Sequence, residues 1–513
     1  MQFGGIELFL DDERIAWTRN IRREIQPARR HEANPVISRE YPWEASYATI
    51  YGSVLYDDER DVFRMWYNAY GEVYFNQQML AYAESKDGVH WEKPLMEHSS
   101  WPGHERTNIV MGPDPNLHGP GIIRNPDPDN GAERYLLMFD SYPRWRENAA
   151  ALGIHGRWCY TATSADGLRW SPQKGRPAFA GKADSCQSVV WDERTKTFKA
   201  YVRGVIERDP FGQRIRYCRL VESPDFVNWG EPIELWRPDE EDGYPDVQVQ
   251  QLAVTMYEGI SIGLLSLFRI ARRVPIYEDG GAGGEPARKQ AMERELAGLP
   301  DNEQSRAISG YNEGLQINDI QLVTSRDGVH FSRVADRQCF MRKNEPENWI
   351  AMGGTTSSHI TMASQMLLHD DAVWIYFAKG DGRPDGGKHI GLATIPRDRF
   401  VAMLPERLVD DAVIELVPMR YPDGTLQLNA CTSPVGVIRA EIADFDGAVV
   451  EGFERENAVP VTGDSLDHPV TWQRAGETYT LNRLPPELRD RPVRLRFWLH
   501  QARIFALRAA ASN

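Results

Sequence analysis

The sequence predicts an all-β chain, a five-bladed β-propeller followed by a C-terminal β-sandwich, and three observations predict it. The segment Ser85-Lys-Asp-Gly-Val-His-Trp91 returns as Ser164-Ala-Asp-Gly-Leu-Arg-Trp170, as Ser223-Pro-Asp-Phe-Val-Asn-Trp229 and as Ser325-Arg-Asp-Gly-Val-His-Phe331. Each copy follows a short alternating stretch (Met79 to Glu84, Trp158 to Thr163, Tyr217 to Glu222, Ile320 to Thr324) that reads as a strand. The copies stand 79, 59 and 102 residues apart, which fits blades with variable loops better than a solenoid of fixed period. A hairpin signature inside a sandwich is the competing reading.

The Asp-Gly of each copy suits a tight turn, because Gly accepts positive φ and Asp bonds its own backbone. Upstream, each blade has an inner strand, a polar turn and a second strand. Blade one gives Ala45 to Tyr56 and Val62 to Ala69, blade two Gly121 to Arg124 and Arg134 to Asp140, blade three Ser185 to Trp191 and Thr197 to Arg203. Blade four gives Val247 to Thr255 and Ile260 to Phe268, blade five Ile360 to Leu368 and Ala372 to Lys379. A degenerate fifth copy, Pro396-Arg-Asp-Arg-Phe400, follows the strand Lys388 to Thr394. Residues 1–33 are expected to wrap the outside of the propeller, which spans 34–407, and residues 408–513 to form the sandwich. An insertion in blade four, 272–314, reads as a disordered loop, a lid or a homo-oligomer contact.

The 513 residues exceed one ordinary core, and a propeller accommodates them because each blade has its own. A net charge of −15 and the lack of a long Lys/Arg cluster argue against nucleic acid. No apolar run spans a bilayer, and the acid-rich start does not read as a signal peptide. Five scattered cysteines without CxxC spacing read as free thiols of a cytoplasmic protein.

Propeller topology converts strand order into a site. Residues at or before the start of each inner strand converge: Trp43 and Glu44, His118, Asp184, Asp246 with Gln248, and Ser358 with His359. The ends of the second strands form the next ring: Asn68, Asp140 with Ser141, Arg203, Arg269 and Asp381. Carboxylates gathered from three blades shift one another's pKa and let one stay protonated as an acid. Cleavage of a glycosidic bond needs such a set. Trp43 and Tyr47 offer sugar-stacking faces. The bland readings are that Glu44 caps a turn or pairs with an arginine of the N-terminal wrap, and that Asp184 and Asp246 are turn acids. No histidine pair has ligand spacing, and no Asp-Gly segment completes a calcium loop, so neither a catalytic metal nor a cofactor is expected.

The Ser-x-Asp-Gly-x-x-Trp turns, the strand grammar Tyr51-Gly-Ser-Val-Leu-Tyr-Asp57 and Phe63-Arg-Met-Trp-Tyr67, and the Trp-Glu lead-in resemble the five-bladed propeller glycosidases of glycoside hydrolase families 32, 43, 68 and 130. More narrowly, the chain resembles bacterial family 32-like proteins with a C-terminal sandwich, over roughly residues 30 to 510. The nucleophile motif Trp-Met-Asn-Asp-Pro-Asn-Gly and the Glu-Cys acid motif of invertase-type members are missing. Arg208-Asp-Pro210 stands after the second strand of blade three, the wrong place for that family's Arg-Asp-Pro. The resemblance implies a glycoside hydrolase acting on a small glycoside or an oligosaccharide end. By position, Glu44 would be base or nucleophile, Asp184 would position substrate or tune pKa, and Asp246 would be the acid. Trp43, Asn68, His118, Asp140, Arg203, Gln248, Arg269 and His359 would bind substrate. A glycoside phosphorylase and a non-catalytic carbohydrate-binding propeller are the alternatives.

Overall fold

The computed structural model describes residues 2–71, 77–113, 116–142, 158–173, 177–179, 183, 185–206, 215–243, 247–270, 316–342, 360–380 and 388–509, without the side chains at 142, 268–270, 316–318, 342 and 380. The blade-four insertion 272–314 lies outside these residues.

The repeated heptapeptide is a self-contained turn. In the first copy Ser85 Oγ accepts the Gly88 N–H at 2.9 Å, while Asp87 Oδ1 accepts those of Val89 and His90 at 2.9 and 2.8 Å. Trp91 closes the loop by donating its indole N–H to the Gly88 carbonyl at 2.9 Å. Gly88, Gly167 and Gly328 have φ of +70°, +73° and +74°.

Each turn docks on the second strand of the preceding blade. The Gly167 carbonyl accepts Trp66 Nε1 at 2.6 Å, and those of Gly88 and Gly328 accept Tyr376 and Tyr201 Oη at 2.8 Å each. Arg64 and Lys199 reach the neighbouring Asp166 and Asp327 carbonyls at 2.5 and 2.7 Å. The third copy departs from this pattern in a matched way. Phe226 replaces the glycine at φ +63° and packs with Leu136 and Met138, which stand in blade two at the register of Arg64 and Trp66. In the fifth turn Asp398 takes positive φ, +68°. Its buried carboxylate accepts Tyr257 of blade four at 2.6 Å and Arg508 of the last strand at 2.6 and 2.8 Å, tying propeller to sandwich.

The strands fall into five antiparallel units ordered by sequence, the fifth and first joined through the parallel pair Lys388–Tyr47 into one ten-stranded sheet. Blade one is Tyr47–Asp57, Val62–Tyr70, Gln78–Ser85 and Trp91–Glu92, and blade two Asn116–Arg124, Tyr135–Tyr142, Trp158–Ser164 and Ser171–Pro172. Blade three is Ser188–Asp192, Thr197–Ile206, Ile215–Ser223 and Ile233–Trp236. Blade four is Val247–Tyr257, Ile260–Ile270, Gln316–Ser325 and Ser332–Arg333. Blade five has a split inner strand, Thr361–Met362 and Leu367–His369, then Ala372–Gly380 and Lys388–Pro396. Its outer strand is Arg29–Arg30, paired with Thr394 and Ala393, so the start of the chain completes the last blade.

The other strands of residues 1–33 do more than wrap. Ile6–Glu7 pairs with Arg508 and Leu507, Ile15–Arg19 with Ala412–Leu416, and Ile21–Ile25 with Val401–Pro405, all in the eight-stranded sheet built on the long strands Leu426–Ala443 and Arg494–Ala509. Phe3 and Phe9 enter the sandwich core, whereas Ile6, Leu8 and Leu10 pack with residues of blades four and five such as Tyr257 and Ile375.

At the axis the inner strands approach too closely for an unbroken ladder. Register breaks between Thr49 and Ser53, His118 and Gly121, and Val249 and Gln251, and blade five is interrupted at Ala363–Met366. A Cβ on Gly52 would lie 1.9 Å from the Trp66 carbonyl oxygen, and one on Gly121 1.7 Å from that of Gln187. Backbone groups freed by the breaks are taken by serines. Ser53 Oγ bonds Ser364 Oγ at 2.6 Å and accepts the Ile122 N–H at 2.7 Å; Ser188 Oγ accepts the Val254 N–H at 2.8 Å and donates to the Ser364 carbonyl at 2.7 Å. This collar joins all five blades.

Two predictions follow from the turns and their docking. A Cβ on Gly167 would sit 2.6 Å from the Trp66 ring at positive φ, whereas Gly131 has nothing within 4 Å. Gly167→Ala should cost about 1–3 kcal/mol in denaturant unfolding, and Gly131→Ala close to none. Asp225 is held down at about 2, first by the Asn228 backbone N–H and then by its side chain and the Val227 N–H against opposing burial, and Asp166 is lowered by analogous bonds that outweigh burial. The stability they contribute is complete above the ordinary carboxylate pKa near 4 and is lost as pH falls toward 2. Asp225→Asn should flatten the acid limb of a pH-stability curve without altering the plateau's pH dependence above about 5.

Candidate functional site

The register breaks that build the collar also turn side chains from several blades toward one end of the channel. Gln250, the extra residue at the blade-four bulge, accepts Arg203 Nη1 of blade three on Oε1 at 2.9 Å and donates through Nε2 to Tyr51 Oη of blade one. The Tyr51 ring meets His118 of blade two edge-on, 5.3 Å between centroids, and His118 Nδ1 lies 2.8 Å from Tyr70 Oη. Tyr70 packs edge-on against Tyr47 at 5.4 Å, and Lys388 of blade five sits 4.9 Å above the Tyr47 ring. Side chains from all five blades therefore meet at one end of the channel, Arg203 and Lys388 among them.

Of the expected residues, His118, Arg203 and Gln248 belong to this end, all largely buried. Asp140 is fully buried directly opposite His118 across the strand pair. Burial first, and then the Asp140 charge, push Tyr160 up to about 12. The backbone of Arg269 pairs with Val247. Its side chain, and Asp184, Asp246 and His359 altogether, lie outside the described residues.

Three of the expected residues have partners within the protein. Glu44, expected as base or nucleophile, has 0% exposure. Its Oε2 accepts the Glu40 and Tyr41 backbone N–H groups at 2.8 and 3.1 Å, closing the short helical turn Pro42–Glu44, and Oε1 accepts Tyr67 Oη at 2.5 Å. Lys93 Nζ bridges both oxygens at 3.0 and 2.9 Å. A carboxylate has about four lone-pair sites, so these donors saturate it. Glu44 is a buried cap and ion-pair anchor, paired with a lysine rather than an arginine of the N-terminal segment. Burial first and then the Glu44 charge hold Tyr67 well above the ordinary tyrosine range.

Trp43, expected to stack on a sugar, is likewise fully buried: its ring stacks on Tyr41 at 4.6 Å and its indole N–H donates to Asn108 Oδ1 at 2.7 Å. Asn68, expected to bind substrate, spends its amide on backbone. Nδ2 donates to the Met79 and Leu117 carbonyls at 2.9 and 3.0 Å, and Oδ1 accepts the Gly119 N–H at 2.9 Å. It thereby clamps the chain on both sides of His118.

Tyr51, Tyr70, Gln250 and Lys388, which the structure brings beside these residues, are not singled out by the sequence pattern. Tyr51 and Gln250 sit within register breaks, where the period-two rule for strand faces fails. Among the described residues no group of three or more His, Cys, Asp or Glu side chains is arranged to hold a metal ion.

No protein-family model matches the chain, and no curated protein matches it. Among solved structures, a glycosyl hydrolase from Bacteroides ovatus is similar at 16% identity with a TM-score of 0.44, over 73% of this chain and 95% of its own. An N-acetylgalactosamine deacetylase from F. plautii is similar at 13% and 0.44, over 74% and 96%. A fructofuranosidase from Schwanniomyces occidentalis is similar at 10% and 0.40, over 94% and 98%. Likeness this distant assigns no chemistry.

The Glu44 geometry makes a stability prediction. Lys93→Met should cost about 3–5 kcal/mol in denaturant unfolding by stranding a buried carboxylate, and Glu44→Gln/Lys93→Met should recover part of that loss.

Proposed function

We propose that the protein is a glycoside hydrolase that binds a small glycoside, or the end of an oligosaccharide, in the chamber above the serine collar. The observation that carries this reading is the convergence of Tyr51, His118, Arg203 and Gln250 from four blades at one end of the channel, where phenol, imidazole, guanidinium and amide groups form one polar cluster. The resemblance of the repeated turns to propeller glycosidases supports the same class.

With Glu44 saturated, the carboxylate chemistry falls to Asp184 and Asp246, which stand in the chain just before Ser185 and Val247 of blades three and four. One would protonate the leaving oxygen while the other attacks the anomeric carbon or activates water. Gln248, beside Asp246 in sequence, would fix hydroxyls, with Gln250 orienting Tyr51 and Arg203 and with Arg269 and His359 as further ligands of the substrate. Phosphorolysis is the second reading, favoured by Arg203 and Lys388, two largely buried cations at this end of the channel.

Release of nitrophenol from a panel of α- and β-nitrophenyl glycosides, with and without inorganic phosphate, tests both. Turnover should fall by about 10²-fold or more in Asp246→Asn and Asp184→Asn and persist in folded Glu44→Gln. Strict phosphate dependence would establish the phosphorylase. Unchanged turnover in both aspartate variants would remove the proposed pair. No turnover on any substrate, with sugar binding retained, would identify a carbohydrate-binding propeller.

A further inference from the structure

We propose that the protein has a second small-molecule site, at the hairpin ends of its inner strands, which takes an uncharged, largely apolar ligand carrying a hydrogen-bond-accepting oxygen.

In blade one the inner strand runs from Tyr51 of the polar cluster through Ser53 of the collar to Leu55, and in blade four from Gln250 through Val254 to Met256. The two-residue period of a strand puts Leu55, Val190 and Met256 on the same face as Ser53, Ser188 and Val254. They line a cavity of about 680 Å³ to which all five blades contribute, at the opposite end of the inner strands from Tyr51 and Gln250. Ligand pockets have volumes of about 300–1,000 Å³, apolar and aromatic walls and a few placed polar groups. Here Tyr56 and Trp191 supply rings that are only partly buried. Trp191 is held by its indole N–H, which donates to the Glu193 carboxylate at 2.6 Å, and by the Phe198 ring, 4.7 Å away. Tyr56 packs against His369 at 4.4 Å.

The polar groups of the wall decide the charge of the ligand. Arg124 Nη2 donates to the Tyr56 carbonyl at 3.1 Å, and the Asp57 and Asp58 carboxylates stand 3.5 and 3.8 Å from the guanidinium. Its Nε has no hydrogen-bond partner among the described residues. The charge of Arg124 is thus balanced while N–H donors remain for a ligand. Asp58 and Asp370 stand at the rim with side chains 78% and 88% exposed, where water screens them. An anion would meet these two carboxylates and a cation would meet Arg124, and either would lose hydration against Leu55, Val190 and Met256. A neutral, flat molecule buries its faces on those side chains and Trp191 and accepts a hydrogen bond from Arg124.

Prodan, a neutral naphthalene ketone, is titrated into the full-length protein and followed by its emission, beside the anionic anilinonaphthalene sulfonate. The expected result is one saturable Prodan site, weakened about tenfold or more by Trp191→Ala and by Met256→Glu, and weaker binding of the sulfonate. Phe445→Ser, which alters an exposed apolar side chain of the sandwich, should leave Prodan binding unchanged. The two decisive variants lie on different blades and are checked by circular dichroism and denaturant unfolding, so that a folding failure of one leaves the other to decide. The proposal is overturned if wild type binds no Prodan saturably, if affinity is undiminished in a folded Trp191→Ala or Met256→Glu, if Phe445→Ser abolishes binding, or if the sulfonate binds more tightly than Prodan. Because no glycoside is used, failure here leaves the hydrolase reading standing.

Discussion

Five strands converging on one axis is the constraint on which the rest depends. Between blades two and three backbone lies against backbone: Gly119 against Ser185 and Gly121 against Gln187. The inner strands of blades one, two and four break register there and that of blade five is interrupted, and N–H and C=O groups freed in a buried channel cannot remain unpaired. Ser53, Ser188 and Ser364 take them. The breaks between Thr49 and Ser53 and between Val249 and Gln251 also hold Tyr51 and Gln250, which reach the same end of the channel.

Around that axis the blades are held by a second, outer device. Each Asp-Gly turn lies over the preceding blade and gives its carbonyls to an aromatic and, in blades two and four, to a cation. The exchange is stereochemically matched: where glycine becomes Phe226, the partners become Leu136 and Met138, and apolar burial offsets the roughly 1 kcal/mol or more that positive φ costs a non-glycine residue. In the fifth blade Asp398 spends the same turn position on Arg508, which is how the sandwich becomes attached to the ring.

What was legible in the sequence was local. The Ser-x-Asp-Gly turn bonds itself within seven residues, so its chemistry and its strands can be read from any one copy, and even the degenerate Asp398 turn is recognisable. What was illegible is non-local. Ile6 pairs with Arg508, and Arg29 and Arg30 complete blade five; no pattern in residues 1–33 distinguishes such strands from a wrapping segment. Glu44 looked catalytic because its position along the chain is right, but its buried partner Lys93 lies 49 residues away. For Asn68 and Trp43 only the fold reveals that their polar atoms bond Leu117, Gly119 and Asn108. Period-two reading skipped Tyr51 and Gln250 because bulges suspend the period there.

The central claim, that the collar-floored chamber is where a sugar binds, is tested most directly by saturation-transfer difference NMR with a mixture of free monosaccharides, comparing wild type with Arg203→Gln. The account predicts saturation of one or a few sugars by wild type and its loss in the variant, with the two proteins unfolding at similar denaturant concentrations. Saturation that survives unchanged in Arg203→Gln, or that no sugar receives from wild type, would contradict it.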